Sequence, residues 1–238
     1  MNLMGYKIKH DLKKYSFSKK LIINTINAHS YYVAKEDFIF KKALQESDFL
    51  FPDGSSMVFA ARVLKKKKIK KISGFEIHQN LLEQANKKKL KVFYLGASNK
   101  ALSLIKRKIK IKFPNIIVKA YSPPFKENFS KKMNQKIIRL INNFKPNIVF
   151  IGMTAPKQEK WAYNYKDMIK ANLIVSIGAV FDFYSGITER PKKIWINFNL
   201  EWLARFIDNP KKMWRRVVFS IPIFLLDLLM LKFNLKKF

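Results

Sequence analysis

Four short runs of aliphatic and aromatic residues, at 92–95, 116–118, 148–151 and 173–177, recur along the chain with amphipathic stretches at about 101–113, 131–144 and 160–169 between them. This alternation constrains the fold more than any other feature. Strands that are apolar on both faces belong in a parallel sheet covered by helices on both sides. Two further runs, 21–25 and 48–51, lie upstream and are separated by a helical segment at about 35–46. The pattern predicts an α/β fold with a mostly parallel, Rossmann-like sheet and helices on both faces.

In such sheets ligands bind beyond the carboxyl ends of the strands, where new helices expose unpaired N–H groups. The polar residues fall at those ends. Thr25-Ile26-Asn27 closes the first run and Pro52-Asp53-Gly54-Ser55 the second, while Gly96-Ala97-Ser98-Asn99 follows the third. Gly152 opens the segment Met153-Thr154-Ala155-Pro156-Lys157-Gln158-Glu159, ahead of a helix expected from Lys160. Gly178 and Gly186 bracket a loop that carries Asp182. From the residues alone, Asp53 reads either as a general base or as the cap of a helix starting near Ser55. Thr25 and Asn27 read as ligand contacts or as turn-stabilising side chains.

With 238 residues, one domain or one domain plus an appendage is expected. Forty-eight Lys and Arg against 16 Asp and Glu leave a net charge of +32, which points to an anionic partner: nucleic acid, a phospholipid surface or a phosphorylated substrate. The lysines are spread through every segment and no nucleic-acid reading module appears, so a nucleic-acid partner is not expected. The absence of cysteine excludes disulfides and thiolate metal sites, and His10, His29 and His78 are too scattered for a metal spacing. The amino-terminal stretch lacks the apolar core of a signal peptide, so the bulk of the protein is expected in the cytosol.

The pattern changes after Gly186. Two helices are expected near Leu200-Glu201-Trp202-Leu203-Ala204-Arg205 and Pro210-Lys211-Lys212-Met213-Trp214-Arg215-Arg216, the second opened by Asp208-Asn209-Pro210. Residues 217–231 are nearly all apolar, broken by Ser220, Pro222 and Asp227; these 15 residues fall short of the roughly 20 that span a bilayer. Flanked by Arg215-Arg216 and by lysines, the segment is expected to lie in an anionic membrane interface rather than dock on the sheet. The division expected is a core over 1–195 and a helical, membrane-associating appendage over 196–238.

Taken in order, Asp53-Gly54, Ser73-Gly74, the 152–159 segment, the Gly178–Gly186 segment, Arg190-Pro191 and the Leu-Glu-Trp-x-x-Arg element closely resemble the WecG/TagA/CpsF family of bacterial glycosyltransferases. The resemblance covers about residues 21–216. It implies transfer of N-acetylmannosamine, its uronic acid or a related hexose from a UDP-sugar donor to a polyprenyl-diphosphate-linked sugar, in the synthesis of wall teichoic acid, capsule or another surface polysaccharide. Asp53 and Thr25 are then the catalytic candidates, with Asp53 the base that deprotonates the acceptor hydroxyl. Asn27, Lys71, Lys157, Gln158 and Asp182 line the substrate pocket, and Arg205, Lys212, Arg215 and Arg216 close over the diphosphate. Ile26 stands where many relatives carry proline, and Lys71 where arginine is commoner. In an α-helix Lys212, Arg215 and Arg216 share one side. With no Asp-x-Asp pair, the expectation is metal-independent transfer without a cofactor, by inversion, on the inner face of the cytoplasmic membrane; homo-oligomerisation stays open. The alternatives are a nucleic-acid-binding protein and a catalytically inactive lipid-binding scaffold of the same fold.

Overall fold

The computed structural model describes residues 1–12, 15, 17–189, 191, 192, 194, 195 and 200–235, with the side chains of Arg205 and Lys212 outside that description. Its centre is a six-stranded sheet of β3 (Leu21–Ile26), β4 (Phe49–Pro52), β5 (Lys91–Gly96), β6 (Ile117–Tyr121), β7 (Ile148–Gly152) and β8 (Leu173–Ser176), in the order β4-β3-β8-β7-β5-β6. Every pair is parallel, as apolar strands linked by helices require. The 116–118 run becomes the edge strand β6 and is only partly covered, with Ile117 exposed. The other edge strand, β4, is mostly buried.

Helices α1 (Ala28–Glu36), α2 (Phe38–Gln45), α3 (Ser55–Lys65), α4 (Gly74–Lys87), α5 (Asn99–Lys112), α6 (Lys131–Phe144), α7 (Lys157–Tyr165) and α8 (Val180–Ser185) connect the strands. Short polar side chains start α1, α2, α4, α5 and α6. Ser73 and Glu76 form a reciprocal capping box on α4, and Ser98 and Ser130 cap α5 and α6. On one face of the sheet Ile77, Leu81, Ile105, Ile109 and Phe181 bring α4, α5 and α8 onto Val92, Tyr94 and Phe150. On the other, Ile137, Ile141, Trp161 and Ala162 bring α6 and α7 onto Phe93, Val149 and Ile174.

A third apolar layer was not anticipated. The polar-looking amino terminus forms a hairpin, β1 (Asn2–Leu3) with β2 (Tyr6–Lys7), turned by Met4 and Gly5, both at positive φ as a two-residue hairpin turn requires. Leu3, Tyr6 and Ile8 are buried with Tyr31 and Ala60 of α1 and α3 and with Phe224 and Leu228. The last two belong to α11 (Ile221–Lys232), which follows α9 (Glu201–Asp208), α10 (Pro210–Arg215) and a π-helical turn, Arg216–Ser220.

The expectation that the carboxy-terminal segment lies in a membrane instead of docking is therefore corrected: one side of it is docked. Its polar interruptions are the docking points. Asp227, 4% exposed, accepts from Tyr31 Oη at 2.8 Å and pairs with Lys35 Nζ at 2.7 Å, and Ser220 Oγ lies 2.9 Å from His29 Nδ1. A carboxylate inside an apolar helix needs such partners, so Asp227 turns its face inward. The opposite side, with Leu225, Leu226, Leu229 and Met230, is exposed, as are Trp214, Val218 and Phe219. Among the described residues no helix is long and apolar enough to cross a membrane.

Candidate active site

Because the sheet is parallel throughout, the strand ends that carry polar residues share one edge. Asp53 follows β4, and its N–H donates to Ile26 O of β3 at 2.8 Å. That bond seats it beside Asn27, whose Cβ is 3.6 Å from where a side chain on Gly54 would begin. The cap position of α3 is Gly54, at a φ of +108° that favours glycine, so Asp53 stands one residue ahead of the cap. Thr25 is half-buried in β3. Asn27 caps α1, its Oδ1 accepting from Ser30 N–H at 3.0 Å. Its carbonyl-type oxygen thus serves the turn.

The chain returns to this edge before α4. Ile72 N–H donates to Pro52 O at 2.9 Å, and a Cβ on Gly74 would sit 3.4 Å from Ile177 O after β8. Lys71 is carried there with its Nζ 3.3 Å from Glu201 Oε2, so this proposed substrate cation is paired with the acid of the Leu-Glu-Trp element. The ion pair brings α9 to the sheet edge.

At the centre of the edge, α7 leaves to one face while α5 and α8 leave to the other, which opens a crevice between the strand ends. Two glycines let it close tightly below. A Cβ on Gly96, which has φ +115°, would sit 2.4 Å from Gly152 O, and one on Gly152 would sit 2.5 Å from the Phe181 ring. The helix expected from Lys160 starts at Lys157, since Lys157 N–H already closes a turn onto Thr154 O at 3.0 Å. Lys157, Gln158 and Glu159 are therefore first-turn residues. Lys157 Nζ donates to Lys126 O and lies 3.6 Å from the Phe129 ring centroid, and desolvation lowers its pKa. Gln158 Oε1 accepts from Gly178 N–H at 3.0 Å, while its Nε2 donates to Glu159 Oε1 at 2.8 Å.

Glu159, read as a helix-start preference, is 3% exposed, and burial pushes its carboxyl up to about 7 against the lowering effect of the Gln158 amide. The Gly178–Gly186 segment, expected as a loop, contains the helix α8 ended by Gly186 at φ +86°, because Val180, Phe181 and Tyr184 all have core to bury in. Asp182 is in its first turn, half-buried, and its carbonyl accepts from Gly186 N–H at 3.1 Å.

Of Lys212, Arg215 and Arg216, expected to share one side of a helix, the first two fall in α10 and the third in the π-turn that continues it. The α-helix ends at Arg215, which is exposed with its guanidinium carbon 5.5 Å from the Trp214 ring centroid, and Arg216 opens the π-turn. The wider turn swings Ser220 onto His29. Arg216 is half-buried near His29, whose pKa is lowered to about 4 by burial and then by that arginine. His29 was missed from the sequence, as was Glu201. Arg190 and the side chains of Arg205 and Lys212 lie outside the described residues. Among the described residues no group of three or more His, Asp or Glu side chains could hold a metal ion.

A parallel sheet that gathers a carboxylate, a hydroxyl, carboxamides and lysines along its carboxyl edge defines an α/β protein built to take a ligand there. The chain belongs to the WecG/TagA/CpsF family of glycosyl transferases, whose profile matches residues 6–238. It is 31% identical over 229 residues to the N-acetylglucosaminyldiphosphoundecaprenol N-acetyl-β-D-mannosaminyltransferase of Bacillus subtilis, covering 95% of this chain and 87% of that one. The proteins of the same name from Bacillus spizizenii and Staphylococcus aureus are 29% and 26% identical, over 86% and 92% of this chain and 77% and 84% of theirs.

Proposed function

We propose that this glycosyltransferase moves N-acetylmannosamine, or a closely related hexose, from a UDP donor to a polyprenyl-diphosphate-linked sugar in surface-polysaccharide synthesis. The reading is supported by the relatives' names, which specify N-acetylglucosaminyldiphosphoundecaprenol as acceptor. The observation that carries it is the sharing of one sheet edge by Asp53, Thr25 and Gln158.

In this reading Asp53 takes the proton of the acceptor hydroxyl as its oxygen attacks the anomeric carbon. The bond from that carbon to the UDP oxygen breaks with its electron pair going to the diphosphate, and the configuration inverts. Thr25 and Asn27 bind sugar oxygens on the Asp53 side, and Lys157, Gln158 and Asp182 border the nucleotide sugar. Cationic side chains take the place of a metal in stabilising the leaving diphosphate: Lys71 and, from the tail, Arg205, Lys212, Arg215 and Arg216.

The exposed apolar side of α11 rests on an anionic membrane surface at the inner face of the cytoplasmic membrane, where the lipid-linked acceptor resides. Supporting this, the carboxy-terminal end of α11 borders a groove of about 930 Å³ lined by Lys7, Lys35, Lys41, Lys65 and Lys232. The test is incubation with a panel of UDP-sugars and a short-chain prenyl-diphosphate-linked N-acetylglucosamine, read by mass. A product heavier by one N-acetylhexosamine or hexose unit is expected; no product with any UDP-sugar overturns the reading.

A further inference from the structure

The turn after β8 is tied to β7 by the Ile177 and Gly178 N–H groups, 3.0 and 3.4 Å from Ile151 O, and to the first turn of α7 by one side chain. Gln158 Oε1 receives the Gly178 N–H at 3.0 Å, and its Nε2 is held by Glu159 Oε1 at 2.8 Å. Gln158 is 5% exposed, and Gly178 sits at φ +52° with the Gln158 amide nitrogen 3.4 Å from where a Cβ would be. A carboxamide can present either end, and here its orientation is set by what faces it.

Glu159 is what faces it. Its other oxygen, Oε2, is buried without a hydrogen-bond partner among the described residues, and so are Ser176 Oγ and Asn24 Oδ1. Ser176 and Asn24 follow the paired residues Val175 and Ile23 on adjacent strands, so their side chains share a face of the sheet. Ser176 is paired with Ile151, which places it on the face covered by α7, where Glu159 and Ala162, three apart, point inward. Glu159 Oε2 and Ser176 Oγ are thus polar atoms, unpaired among the described residues, set in an apolar layer. Of the charged groups around it on α7 and α2, Lys160 pairs with Asp37 at 2.7 Å and Lys157 is turned to Lys126 O. A buried carboxyl with one unpaired oxygen costs stability, so a neutral residue of similar size would serve packing as well.

We propose that Glu159 is a positioning residue: by holding the Gln158 amide it pins the turn after β8 to the turn after β7, so that the nucleotide-sugar side of the cleft is set before substrate arrives. The proposal rests on the functional reading above for its substrate, and on geometry alone for the strut.

Glu159→Leu and Glu159→Gln in the full chain separate the possibilities. Leucine fills the space and removes the carboxyl, so the melting temperature holds or rises, while amide exchange at Gly178 speeds up and the donor KM rises, each by about tenfold, with acceptor KM unchanged. Glutamine can still accept from Gln158 and restores both values to within about twofold of wild type. Wild-type exchange and donor KM in Glu159→Leu overturn the proposal. Equal impairment in Glu159→Gln also overturns it, since a charge rather than a strut would then be needed. Should the leucine variant not fold, Gln158→Leu removes the strut from its other end, and wild-type exchange at Gly178 there is equally decisive. If the wild-type enzyme transfers no sugar, the substrate reading fails while the exchange measurement still tests the strut.

Discussion

His29 Nδ1 lies 2.9 Å from Ser220 Oγ, 191 residues further along the chain, and joins the first turn of α1 to the π-turn that precedes α11. Below it on α1, Tyr31 and Lys35 both reach Asp227. Three contacts at successive depths hold the tail on the helix that begins beside Asn27, so Arg216 arrives near the cleft as part of a fixed element.

That attachment is pH-sensitive. His29 has a pKa lowered from 6.5 to about 4, so its contribution is fully present above 6.5 and is lost as pH falls through about 4. Hydrogen-exchange protection of residues 216–228 is expected to drop between pH 7 and pH 4, and His29→Phe to abolish that step. Protection that is flat with pH in the wild type overturns the assignment.

Glu159 acts in the opposite sense. Its pKa is raised from 4.5 to about 7, so its contribution is fully present below 4.5 and is lost as pH rises through about 7. The melting temperature of Glu159→Gln, compared with wild type at each pH, is expected to gain ground steadily from pH 5 to pH 8. A constant difference would mean that the carboxyl does not titrate in that range.

Asp53→Asn is expected to lower sugar transfer by about 10²- to 10⁴-fold with an unchanged circular-dichroism spectrum, the usual weight of a general base. Gly54, not Asp53, holds the cap position of α3, and the unchanged spectrum is the control that separates lost chemistry from lost folding. Near-normal turnover would remove Asp53 from the mechanism.

The two sides of α11 separate stability from membrane binding. Phe224 is 1% exposed, and Phe224→Ala is expected to cost about 3–5 kcal/mol in denaturant unfolding. Leu226 and Leu229 are 56% and 51% exposed, and changing both to Glu is expected to move stability by no more than about 0.5 kcal/mol per site while abolishing flotation with anionic liposomes. Undiminished flotation of the double variant would refute the membrane face.

Gly152→Ala places a methyl 2.5 Å from the Phe181 ring and is expected to destabilise by about 1–3 kcal/mol, partly recovered by adding Phe181→Leu. A wild-type melting temperature for Gly152→Ala would show that α8 can move away from β7.

The sheet was legible because its strands are apolar runs ended by glycine or polar residues, a pattern with few other outcomes. The hairpin at residues 1–8 was not: Leu3, Tyr6 and Ile8 alternate with lysines, and two-residue strands carry too little pattern to notice. The short helix α8 read as a loop because two glycines frame it. Asp53, Thr25 and Asn27 were legible as strand-end residues, and the structure places them together. What escaped were partners distant in sequence. Glu201 lies 130 residues from Lys71 and Asp227 lies 196 from Tyr31, so the lysine read as free for substrate and the aspartate as a break in an apolar run. Glu159 was underrated because its burial depends on β3 and β8 rather than on its neighbours in the chain.

The hairpin β1–β2 and the helix α11, more than 200 residues apart in sequence, share a single apolar layer, Leu3 and Tyr6 meeting Phe224 and Leu228 over α1 and α3. During translation that layer stays uncovered until about residue 228 has left the ribosome. A nascent chain can form its sheet before that point while Tyr31 and Ala60 still face solvent, so the layer that seats the tail on α1 is the last to close.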